Sequence, residues 1–222
     1  MTRLALSFAL LASLATASLA HRAPPPHIES YSEPQALMPR RALTREAVQH
    51  ALAEARDRNL AAFRAYVKAG VFPSNVYKAG ELNVWRDQDG HYCAAATLVR
   101  MSGQTALVAK VAEQNNFIRL ADVQQGPLMD WILTSGFTQD EIVAIQKPFS
   151  PVTQHPQIEP AKPIVVDADL RKAEDARLRA KYAAVDKQIV AHARRSLELA
   201  TDRLMKHPQL AWQLVSAARA GI

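Results

Sequence analysis

Glu81-Leu82-Asn83-Val84-Trp85-Arg86-Asp87-Gln88-Asp89-Gly90-His91-Tyr92-Cys93-Ala94-Ala95-Ala96-Thr97-Leu98-Val99 is the stretch on which the fold class turns. Glu81 to Arg86 reads as a strand, Asp87 to Gly90 as a turn, and His91 to Val99 as a return strand. The Asp-x-Asp-Gly order supplies side-chain acceptors for a turn and a glycine for its positive-φ position. The return strand has a rival, because Cys93 to Ala96 suits a helix equally and alanine is depleted in strands. Read as a strand, its small side chains let a helix lie close against the ribbon. This hairpin separates an α+β fold from an all-helical one.

The flanks read as helical. Thr44 caps a helix to about Ala69, with Val48, Leu52, Ala55, Leu60, Phe63 and Val67 spaced near 3.6 residues and Gly70 as the stop. On this reading Glu46, Glu54, Arg56, Arg58 and Arg64 fall mostly on other faces. Six glycines lie between Gly70 and Gly136, which places turn-making, and the compact unit, in the middle. Ser102 is expected to cap a helix to about Gln114. Pro127 opens another that stops at Gly136. Thr138-Gln139-Asp140-Glu141 has the form of a capping box, with Phe137 and Ile142 at the two staple positions.

Lys147 to Pro163 carries five prolines and reads as an extended connector. Beyond it, Asp167 or Asp169 opens a long helix reaching about His207. Leu178, Tyr182, Val185, Ile189, Ala193, Leu197, Ala200 and Leu204 form one apolar stripe along it. Pro208 breaks the pattern, and a short helix follows to Arg219. The expected fold is therefore α+β and mostly helical. A small central helical domain (44–146) holds one β-hairpin, and a linker (147–163) leads to a C-terminal segment (164–222) built on a long amphipathic helix. Residues 21–43, rich in proline, read as a mobile tail.

At the N-terminus, Met1-Thr2-Arg3 is short and basic, Leu4 to Ala17 is apolar or small, and Ser18-Leu19-Ala20 closes with small residues. That order is the layout of a signal peptide covering residues 1–20, removed on export to periplasm or exterior. Its apolar core is short for a membrane span, and no second stretch of spanning length follows. The net charge is +6, of which 11 Lys+Arg against 7 Asp+Glu from Ile164 onward supply +4. Such a segment suits anionic surfaces, although a solvated mixed-charge helix face explains it as well. An exported address argues against nucleic acid as a partner.

Chemistry-bearing candidates are sparse. His21, as a mature N-terminus, offers an amine and an imidazole to one metal ion, but proline-rich chain follows it at once. Asp87, Asp89 and His91 alternate around the turn and converge on a possible cation. A calcium loop in that register has Trp85 and Ala96 at ligand positions, where it needs oxygen. His91 and Cys93 suggest a base beside a thiol, with Asp89 nearby, yet the alanine run argues for a buried, inert cysteine. Cys93 stands alone, so no intramolecular disulfide forms. No sequence feature calls for a cofactor. The function expected is an exported, non-catalytic binding or structural protein, meeting a protein partner or itself through the C-terminal helix. The alternatives are an enzyme built around His91 and Cys93, and attachment of the basic helix to anionic envelope surfaces.

Overall fold

The structure is a computed structural model that describes residues 43–156 and 164–221. The signal-peptide reading of residues 1–20, the metal candidate His21, most of the proline-rich tail and the end of the connector lie outside those residues. Eight α-helices run through the described chain: α1 Arg45–Ala69, α2 Ala94–Met101, α3 Thr105–Gln114, α4 Pro127–Thr134, α5 Gln139–Ile145, α6 Ala168–Ala191, α7 Ala193–Leu204 and α8 Pro208–Ala220. Among the described residues, β-pairing is confined to three isolated bridges. None of the described helices is long and apolar enough to cross a membrane.

The 25-residue α1 is the axis of the fold. The Thr44 hydroxyl oxygen accepts from the Ala47 N–H, and Gly70 closes the far end at φ 66 in the left-handed region. Val48, Ala51, Leu52, Ala55, Ala62, Phe63 and Tyr66 are buried along it, and α2, α7 and α8 pack against it. Leu178, Tyr182, Val185 and Ile189 of α6 join the same apolar core, with Ala200 and Leu204 of α7 and Val215 of α8. Rings of Phe63, Tyr66, Phe72 and Tyr182 meet at centroid distances of 5.4 to 5.9 Å, two of the pairs edge to face. Six of the eight residues of the stripe read from sequence are therefore buried within the molecule, and Ala193 and Leu197 are half-buried.

The return strand is replaced by a helix. Arg86 and Tyr92 form one antiparallel bridge around the expected turn, in which Gly90 has φ 84. The pairing ends where Cys93 accepts the Ala96 N–H on its sulfur at 3.4 Å and starts α2. Ala94, Ala95 and Ala96 are fully buried. Their helix propensity and lack of bulk let α2 lie close on α1, and a strand there would lose that contact. The small-residue argument survives the correction, but the hairpin does not.

Other details shift. Ser102 closes α2 rather than opening α3; its hydroxyl donates to Val99 O and accepts from Trp131 Nε1, both at 2.8 Å. Trp85 likewise spends its indole N–H on Val108 O. Thr138 and Glu141 form the full capping box, and Phe137 and Ile142 are both buried. The described part of the connector, 147–156, is pinned by isolated bridges at Phe149 and Pro151 and bends over 152–155, and Phe149 and Val152 are fully buried. Asn75 holds it: the Asn75 amide donates to Phe149 O, and the Asn75 carbonyl accepts the Val152 N–H. The long helix breaks at His192, giving α6 and α7 separately.

Candidate functional site

Two places bring functional side chains together. The first is the Asp87 turn, where the sequence candidates lie. Asp87 is buried, and its carboxylate accepts from Asp89 N, His91 N and Ser74 N at 2.8 to 3.0 Å. His91 Nδ1 stands 3.1 Å from Asp87 Oδ2 and donates there when it carries the proton. Asp87, Asp89 and His91 do converge, with one potential ligand atom each, all within 4.8 Å of one another. Four donors occupy the roughly four lone-pair directions of the Asp87 carboxylate, so a cation there has to displace backbone bonds that hold the turn. This is a turn staple that binds Ser74 to Asp87–His91.

Cys93 lies in the core rather than beside that surface histidine. Burial pushes its thiol pKa up to about 12, the helix N–H groups offsetting only part of the penalty. At pH 7 about one thiol in 10⁵ is then ionised, far from the activated thiolate that nucleophilic catalysis uses. The structure thus separates what the sequence offered as a pair: a buried neutral thiol, and a half-exposed imidazole bonded to a structural carboxylate.

The second place was not among the sequence candidates. A cleft of about 710 Å³ opens between α4, α5, α6 and α7. Ile132, Phe137, Val185, Ile189 and Ala200 make its floor. Arg195, Leu199 and Arg203 stand at i, i+4 and i+8 on α7 and form one wall, continued by Lys206. Leu199 is 52 % exposed, a large apolar side chain left at the mouth.

Beneath the floor, Arg56 locks the helices that shape the cleft. Its guanidinium donates to both Glu141 carboxylate oxygens at 2.7 and 2.9 Å, to Gly136 O at 3.0 Å and to Ile189 O at 2.9 Å. It also lies 4.9 Å from the centre of the Phe137 ring. Ile189 carries one of the last four carbonyls of α6, which lack intrahelical partners, so Arg56 satisfies it next to the break. Burial raises the Glu141 carboxyl, but Arg56, the Thr138 N–H and the Ser196 hydroxyl outweigh it and hold the group below its ordinary range.

The charges sort as follows. Of the three acids lining the cleft, Glu141 is paired with Arg56, and Asp202 is paired with Arg45 at 2.7 Å. Asp140 alone opposes Arg195, Arg203 and Lys206. Arg203 touches only neutral groups, Gln139 Oε1 at 3.1 Å and Met129 sulfur. Among the described residues, neither Arg195 nor Lys206 has an ion-pair partner. The cleft thus joins an apolar floor to an uncompensated basic wall.

No protein-family model, curated protein sequence or solved structure matches this chain.

Proposed function

We propose that this chain is an exported binding protein with no chemistry of its own, and that it meets a protein partner in the α4–α7 cleft. The observation that carries the reading is the α7 wall, where Arg195, Leu199 and Arg203 line an apolar floor with Asp140 as the one acid there not tied to another cation. Concave, largely apolar sites with a few placed polar groups are where binding energy concentrates. Most of the amphipathic stripe expected to meet a partner is spent on the core, and the contact surface is the neighbouring edge of α7 that carries Arg195, Leu199 and Arg203, beside Val185, Ile189 and Ala200 of that stripe. The enzyme alternative draws no support from a thiol held near pKa 12.

The test uses the inertness of Cys93. Leu199→Cys gives a single reachable thiol in the cleft, and Arg58→Cys gives one on the solvent face of α1. Each carries a photo-crosslinker in the host envelope. The expected result is one discrete protein adduct from Leu199→Cys and none from Arg58→Cys. The same adducts from both positions, or none from either, would remove the cleft from the function. Loss of biological activity in a folded His91→Ala variant would point back to an enzyme.

A further inference from the structure

We infer that the cleft takes an acidic amphipathic helix of the partner protein, a ligand class that rests on the binding role proposed above. Two features select it. The first is the separation of charge. Arg195 and Arg203 lie eight residues apart on α7, roughly 12 Å at 1.5 Å per residue, and Lys206 follows in the turn just past the end of the helix. Leu199 sits between the cations, above the Ile132, Phe137 and Ile189 floor. A fatty acid carries its charge at one end only and leaves the other cation unanswered. A helix with leucines on one stripe and glutamates flanking it meets both ends and the middle together.

The second feature is shape. The helical part of the wall, Arg195 to Arg203, is roughly 12 Å long, and residues of α4, α5 and α6 line the cleft opposite it. An apolar groove between helices is a place where an amphipathic helix docks its apolar face. The floor is already supported from below, because Arg56 fixes Gly136, Glu141 and Ile189. A preformed floor costs little ordering on binding. The basic wall adds steering toward an acidic partner that salt screens away.

The test is fluorescence anisotropy of the purified chain with a helix-stapled peptide of roughly 14 residues, long enough to span the wall. The probe has leucines at i, i+4 and i+7 with glutamates on both flanks; its twin has lysines in their place, and a scramble disperses the leucines. The glutamate probe should bind, and more weakly as salt rises. Leu199→Asp, and Arg195→Glu with Arg203→Glu, should each lower affinity on the order of tenfold or more. The lysine twin should bind the double charge reversal in preference to the wild type. Circular dichroism checks that these surface variants remain folded. Equal binding of the scramble, or failure of the charge swap, would overturn the inference. So would displacement of the probe from the cleft by laurate or by phosphatidylglycerol vesicles. Failure here beside a clean Leu199→Cys adduct in the envelope would refute the ligand class alone, whereas loss of that adduct would refute the binding role itself.

Discussion

Arg56→Met is the perturbation that tests the architecture most directly. The substitution keeps an unbranched apolar stem but deletes the guanidinium that joins α1 to the turn after α4, to α5 and to α6. Glu141, with a side chain only 11 % exposed, then stays buried opposite no cation. The Gly136 and Ile189 carbonyls lose their donor as well. Breaking a buried pair from one side costs about 3–5 kcal/mol, which for a domain of this size is a drop of about 6–20 °C in melting temperature. Removing both charges should recover most of the loss. Arg56→Met with Glu141→Gln retains an acceptor for the Thr138 N–H and buries no lone charge. The assay is urea and thermal denaturation followed by helical circular dichroism. The fold holds the Glu141 carboxyl below its unfolded value, so its pairing contributes fully above about pH 4.3 and is lost as pH falls through the lower folded pKa. The gap between wild type and Arg56→Met should therefore narrow in acid. A cost under about 1 kcal/mol, or a double variant no better than the single, would refute the reasoning.

Packing and backbone geometry set four further outcomes. Cys93 in the native protein should react slowly with a thiol reagent at neutral pH, speeding up on unfolding or as pH approaches about 12; rapid native labelling would contradict its burial. Gly136→Ala should be severely destabilising, because φ is 79 and the new Cβ would stand 2.2 Å from Leu52 O. Gly90→Ala meets nothing within 4 Å and should cost only the strain of its positive φ, about 1 kcal/mol by denaturant titration. Ile189→Asp places a charge in the core shared by α1 and α6 and should cost at least ~3 kcal/mol; an unchanged melting temperature would show that this face is not packed.

Local chemistry was the legible part of this fold. Thr44, Gly70, Pro127, the Thr138–Glu141 box and the Asp87–Gly90 turn each act on their own neighbours, and each appears where the residues place it. The α6 stripe was legible for a related reason, since burial on one side repeats with the helical period. The return strand failed because His91 and Cys93 offer too short an alternation to outweigh three helix-forming alanines. Arg56 was assigned to a solvent face because charge normally stands there, although it falls beside Leu52, Ala55 and Asn59 in the buried stripe. Its partners lie 85 and 133 positions along the chain, beyond any periodic pattern. The cleft was half visible. Arg195, Leu199 and Arg203 share a face in the sequence, but the floor that makes them a wall draws on α4, Phe137 and α6, far away in the chain. Ile189 to Arg195 contains no glycine or proline to announce the break at His192.

The dependence of α1 on α7 and α8 also sets a timetable. The first described helix to leave the ribosome carries Val48, Leu52 and Phe63 out ahead of their core partners, which extend down to Val215. Arg45 waits 157 positions for Asp202. Closing loops of that length comes late and slowly in folding. The nascent chain is thus without a stable tertiary structure until almost its last turn has emerged. The same topology that makes the finished molecule one unit leaves the emerging chain open until its C-terminal helices arrive.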